Sequence, residues 1–162
     1  MAIADELVME AAASIEVTIA TAATSELVEA FARLLPQLSS SAPALTLEAL
    51  AEIIAAPYNT ILIARDPATN GRIIGTLTLV MFHIPTALRA WIEDVVVDSE
   101  ARGRGAGEAL TLSAVKLAHQ RGAKTVDLTS HRSRQAAHRL YEKAGFQLRD
   151  TSVYRHGPKP KS

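Results

Sequence analysis

Cysteine is absent from the 162 residues, which excludes disulfides, thiolate zinc sites and cysteine nucleophiles. An excess of charge is lacking too: 17 Lys+Arg balance 17 Asp+Glu, for a formal net charge of zero. Nothing in that balance draws the chain as a whole to nucleic acid or to an anionic membrane. No apolar run approaches the roughly 20 residues that a bilayer-spanning helix needs. The opening MAIADELVMEAAAS has no basic segment and carries Asp5, Glu6 and Glu10, so it does not read as a secretory signal. A cytoplasmic location is the expectation. His83, His119, His131, His138 and His156 show no metal-ligand spacing, and no metal is expected. Repeats, low-complexity stretches and inter-domain linkers are missing as well.

What the chain does have is 48% hydrophobic residues, enough at this length to bury one core without staples. Residues 15–19 alternate like a strand. Over 24–38, Leu27, Val28, Phe31, Leu34, Leu35 and Leu38 recur at helical spacing, with Thr24 or Ser25 available as N-cap. A second helix starts after Thr46, buries Leu47, Leu50, Ala51 and Ile54, and stops before Pro57. Strands at 59–65 and 72–83 flank a turn at 66–71, where Asn70 and Gly71 tolerate positive φ. Residues 90–98 form a central strand whose continuous Val95-Val96-Val97 suits a sheet covered on both faces. A helix at about 105–121 follows, with Ala106, Leu110, Ala114 and Leu117 inward; then a strand at 125–129 and a helix at 133–144. That last helix carries Ala136, Ala137, Leu140, Tyr141 and Ala144 on one face. Short strands at 146–148 and 151–154 are expected to close the sheet. The sum is α/β, with antiparallel hairpins first and a β-α-β-α unit after.

The most informative stretch joins the buried strand to the helix through Arg102-Gly103-Arg104-Gly105-Ala106-Gly107-Glu108. Alternating glycines leave backbone N–H groups facing a concavity, and the helix N-terminus adds partial positive charge, so the turn forms a cradle for phosphate. Arg102 and Arg104 add fixed charge. A Walker loop would end in Gly-Lys-Ser/Thr, but Gly107 is followed by Glu108 and Ala109. A dinucleotide fingerprint needs different glycine spacing after the first strand. Neither applies.

The sequence resembles the GCN5-related N-acetyltransferase (GNAT) superfamily. That family's Gln/Arg-x-x-Gly-x-Gly/Ala signature is met by Arg102, Gly105 and Gly107. Its Ala-x-x-Leu-Tyr-x-x-x-Gly-Phe helix is met by Ala137, Leu140, Tyr141, Gly145 and Phe146. The resemblance implies a GNAT fold, with a mixed, strongly twisted central sheet flanked by helices. It assigns 15–156 to a single domain, after an N-terminal extension at 1–14 and before a flexible tail at 157–162. It also implies acetyl-CoA as cosubstrate. The strand edge at Val95, Val96 and Val97 would bind the pantetheine arm, and the loop from Arg102 through Gly103, Arg104, Gly105, Ala106 and Gly107, with Glu108, would hold the pyrophosphate. Tyr141 would protonate the leaving thiolate. Arg134 stands where relatives often carry an Asn that touches the cofactor; it could meet a CoA phosphate.

An acceptor amine must lose a proton before it attacks, so a base is needed. Glu93 and Asp94 lie just upstream of the pantetheine-binding edge, and a regular strand sends them to opposite faces, Glu93 with Trp91, Val95 and Val97. Glucosamine-phosphate acetyltransferases carry a similar Ile-Glu-Asp. Glu93 is read as base or water-orienter, and Asp94 as substrate contact or structural acid. His131 follows a strand end near where the acceptor should arrive. With no cysteine and no activated serine, the expected reaction is direct attack of a primary amine on the thioester; a non-catalytic acyl-CoA sensor of the same fold is the alternative. Acceptor choice would lie in residues 34–57 and 84–89, which carry no interpretable motif: a small-molecule amine or a protein amine both fit. Dimerisation is common among relatives.

Overall fold

The structure, a computed structural model, describes residues 14–158. Most of the expected extension at 1–14, and residues 159–162 of the expected tail, lie outside the described residues. The elements run β1 (Glu16–Ile19), α1 (Ser25–Leu38), α2 (Leu47–Ala55), β2 (Asn59–Asp66), β3 (Arg72–Ile84), β4 (Ala87–Val97), α3 (Ala106–Gln120), β5 (Thr125–Asp127) and α4 (Gln135–Lys143). The five strands form one mixed sheet in the order β1-β2-β3-β4-β5. Tight connections make β2, β3 and β4 antiparallel neighbours, whereas the crossover through α3 brings β5 in parallel to β4.

Strand alternation divides the core between the two faces. Ile61, Ile63 and Ile73 face α1 and α2 together with Leu27, Phe31, Leu34 and Leu50. Leu62, Ala64, Ile74, Leu77 and Leu79 face α3, where Ala106, Leu110, Ala114 and Ala118 complete the layer. Both faces of β4 are covered as its valine run implied: Val96 packs toward α1, Val95 and Val97 toward α3. Thr24 caps α1 by accepting the Leu27 N–H at 3.2 Å, and Thr46 caps α2 through Ala49 at 3.1 Å. Pro36 sits inside the last turn of α1. There it removes one late donor, and the helix ends two residues on.

Several expectations need correction. The closing strands at 146–148 and 151–154 are not formed. Phe146 is anchored, since its N–H donates to the Tyr141 carbonyl at 2.9 Å and its ring meets the Tyr141 ring edge-on at 5.9 Å. Beyond it the chain finds no hydrogen-bond partner among the described residues. In α2, Leu47 and Ala51 are exposed and only Leu50 is fully buried; a nine-residue helix laid over β2 covers the sheet with a narrow stripe. In α3 the inward row takes in Thr111 and Ala118 and leaves Leu117 partly buried. The Thr111 hydroxyl tolerates this by donating to the Gly107 carbonyl at 2.8 Å. Helix α4 begins at Gln135 and exposes Ala136, and β5 ends at Asp127.

Candidate active site

β4 is irregular where Glu93 and Asp94 lie. Thr78 pairs with Glu93, but Thr76 pairs with Val96, so β4 spends three residues on an interval that β3 covers in two. This is a β-bulge. Asp94 takes it up with φ +49°, a left-handed conformation that Asp tolerates better than most residues. The inward parity switches across it: Ala90 and Ile92 face the α3 layer before the bulge, Val95 and Val97 after it. The expectation that Glu93 shares a face with Val95 and Val97, opposite Asp94, is therefore wrong. Glu93 and Asp94 both line one cavity.

That cavity, of about 150 Å³, is lined by Leu38, Ile92, Glu93, Asp94, Val95, Leu128, Thr129, Arg134 and Tyr141. It lies where the sheet opens. The β4–β5 pairing runs only from Arg89↔Thr125 to Trp91↔Asp127, and past Trp91 no strand among the described residues flanks β4 on that side. From Ile92 to Val97 the strand offers an open edge to an extended ligand. α1 reaches the cavity through Leu38, and α4 closes it with Tyr141 and with Arg134 at its N-cap.

Beyond Val97 the chain makes a short 3₁₀ turn (Ser99–Ala101) and then the glycine loop. Gly103 and Gly105 have φ +78° and +86°, and a Cβ at either would meet nothing within 4 Å. Backbone conformation, and not space, demands glycine there. Gly105 is the N-cap of α3 and supplies no capping side chain. No N–H from Arg102 to Glu108 finds an acceptor among the described residues, so the first-turn donors of a 15-residue helix join those of the loop. Gly107 answers a different need: a Cβ there would come to 3.0 Å from Leu140 Cδ1, so its absence lets α4 approach.

Two buried carboxylates hold this loop, and sequence reasoning missed both. Asp98 accepts from Arg33 Nε at 2.9 Å and from the Glu100 N–H at 3.2 Å. Burial pushes its carboxyl up, but hydrogen bonds from Glu100, Arg33 and Gln37 outweigh that and hold it below the ordinary carboxylate range. Asp66, at the end of β2, binds Arg104 Nη1 at 2.7 Å and the Ala68 N–H at 2.9 Å. Those bonds lower its pKa as well. Asp66 could be read from the sequence only as a turn residue, because its partner lies 38 positions away.

The remaining candidates fall as follows. The Tyr141 phenol is pushed up by burial, with the Arg134 charge pulling the other way, so it stays protonated at neutral pH. Glu108 pairs with Lys143 at 2.9 Å, tying α3 to α4, while Arg102 is exposed. The structure does not bring His131 to the cavity lining; its Nδ1 lies 2.7 Å from Ser133 Oγ in the turn before α4. Leu128 and Thr129, just past the end of β5, join the site unforeseen, while Leu38, the last residue of α1, belongs to the stretch 34–57 expected to govern acceptor choice. No group of three or more acidic or histidine side chains among the described residues could hold a metal, and no described helix is long and apolar enough to cross a membrane.

Comparison with known proteins finds the same fold. A search of the curated proteins found no match. An Agrobacterium tumefaciens str. C58 structure, provisionally named an acetyltransferase, is 29% identical with TM-score 0.74, covering 88% of this chain and 99% of its own. Glucosamine-6-phosphate N-acetyltransferase from Arabidopsis thaliana shares the fold at 23% identity and TM-score 0.72, covering 87% of this chain and 98% of its own. An aminoglycoside acetyltransferase from an uncultured soil metagenomic sample shares it at 15% identity and TM-score 0.75, covering 89% and 95%. The model of the acetyltransferase (GNAT) family matches residues 25–146. The chain belongs to that family.

Proposed function

We propose that this protein transfers an acetyl group from acetyl-CoA to a small primary amine by direct attack. The observation that carries the reading is the row of unpartnered N–H groups from Arg102 to Glu108, in the loop that follows the open β4 edge. The residues fit the ligand. The row can cradle a diphosphate, and the open β4 edge at Val95, Val96 and Val97 can pair with the amides of an extended pantetheine arm. Arg102 and Arg134 are exposed and free to meet phosphates. Acetyl-CoA supplies a thioester whose thiol, of pKa about 8.5, is a competent leaving group.

Tyr141 lines the same cavity as Glu93 and Asp94, so acid and base face one volume. Its phenol, kept protonated by burial, donates to the departing sulfur. Glu93 takes the proton from the incoming ammonium, directly or through a water, and Asp94 holds the amine in place. Two carboxylates in the cavity favour an acceptor that arrives positively charged. Two enzymes of this fold are named for small amine substrates, a glucosamine phosphate and an aminoglycoside, which favours a small molecule over a protein acceptor. The test is thiol release from acetyl-CoA across a panel of amino sugars, polyamines and amino acids. An amine-dependent rate that falls in Tyr141→Phe is expected. A chain that binds acetyl-CoA but acetylates none of the panel would overturn the reading.

A further inference from the structure

A second and larger cavity, of about 610 Å³, lies at the end of the sheet remote from the glycine loop. It is framed by Tyr58 just before β2, by β3 from Val80 to His83, by Leu88 near the start of β4, and by Arg121, the C-cap of α3. None of its lining residues lines the cavity that holds Glu93, Asp94 and Tyr141. Its volume is that of a small-molecule site. Its wall is costly to leave bare. The chain has only three Phe and three Tyr, yet one of each stands here in water, Tyr58 55% and Phe82 37% exposed. Large aromatic faces left wet forgo the burial that would stabilise them; grouped in one concavity, they mark a surface that a ligand covers.

The charge on that wall has one sign. Arg121 and His83 are its basic groups, and no carboxylate lines it. Arg121 Nη1 donates to Thr60 Oγ1 at 2.8 Å, and Thr60 is buried in β2, so the guanidinium is held in place beside the cavity. Among the described residues no acid pairs with it, and its other side-chain N–H groups make no hydrogen bond. A cation at a helix C-terminus needs no ligand to explain it. The wet aromatic wall beside it does, and a planar fork fixed next to such a wall suits a carboxylate. The geometry points to a second binding site, separate from the acetyl-transfer cleft, for a small amphipathic anion. Its carboxylate meets the free N–H groups of Arg121, and its aromatic body lies against Tyr58 and Phe82.

Phenylbutyrate is the probe, with phenylbutanol (the same body without the charge) and butyrate (the same charge without the ring) as controls. In the isotope-labelled chain, rising phenylbutyrate should shift the NMR signals of the Arg121 Nε–H and the Phe82 amide along one saturating curve. Each control should bind more weakly, by roughly tenfold or more. Arg121→Gln and, separately, Phe82→Ala should each weaken phenylbutyrate by a similar factor. Both side chains are exposed, and the amide spectrum shows that each variant keeps the fold; should the Arg121 variant lose it with the Thr60 bond, Phe82→Ala and the two controls decide. Saturating acetyl-CoA should leave the curve where it is. Absence of a saturating shift at Arg121 and Phe82 overturns the site. Wild-type affinity in either folded variant, phenylbutanol binding as tightly as phenylbutyrate, or displacement by acetyl-CoA does so too. No acetyl transfer enters the readout, so failure of the proposed activity and failure of this site are distinguishable.

Discussion

Gly105→Ala isolates the backbone as the origin of the glycine loop. At φ +86° an L-residue is strained, while a new methyl meets nothing within 4 Å; sterics with neighbours drop out and conformation alone is tested. The strain is roughly 1–2 kcal/mol. It must emerge in one of two places. If the loop keeps its shape, the folded state carries the strain, and Tm falls by roughly 2–8 °C at about 2–4 °C per kcal/mol for a chain of this size. If the loop relaxes, Tm holds and binding must restore the strained form, weakening acetyl-CoA by roughly 5–30-fold at about 1.4 kcal/mol per decade. Thermal melts and titration calorimetry on the same preparation read both. Gly103→Ala, at φ +78° with equally open space, should behave alike. A Gly105→Ala protein with wild-type Tm and wild-type affinity would refute the reasoning.

Other perturbations separate the remaining parts. Tyr141→Phe should lower kcat by roughly 10²–10⁴-fold, the usual worth of a positioned acid, with acetyl-CoA affinity intact; an unchanged kcat removes Tyr141 from the chemistry. Because burial raises its pKa, the wild-type rate should not lose the acid form until above pH 10, and an alkaline limb below that would contradict the assignment. Asp66→Ala should free Arg104 and raise KM for acetyl-CoA with kcat little changed, and an unmoved KM would leave the 2.7 Å pair without a role in the loop. Leu110→Ala, at a site with no exposed surface between α3 and the sheet, should cost about 2–5 kcal/mol in chemical denaturation. Asp98 has a depressed folded pKa, so its contribution is full above the unfolded value near 3.9 and is lost as pH falls through the folded one. Asp98→Asn should flatten that acid loss, and parallel pH–stability curves would contradict it.

The parts written in local pattern are legible in the sequence. The glycine loop, the caps at Thr24 and Thr46 and the valine run of β4 each follow from residues within a few positions of one another. Glu93, Asp94, Val95, Arg134 and Tyr141 stand out in the sequence, and all line the cavity. What escapes depends on distance or on broken periodicity. The bulge at Asp94 shows only in the register against β3, and period-two reasoning cannot anticipate an extra residue. Asp66 and Asp98 find their arginines 38 and 65 positions away. Alternation over 146–154 predicts closing strands, but it records a preference for pairing and not where the partner lies.

The most direct measurement of the central claim is calorimetric titration of acetyl-CoA into the wild-type chain and into Gly105→Glu. The Arg102–Glu108 amides as diphosphate cradle predict saturable heat with the former and none with the latter, whose carboxylate would sit among those donors on a backbone strained at φ +86°. A flat wild-type titration, or equal heats from both proteins, would contradict it.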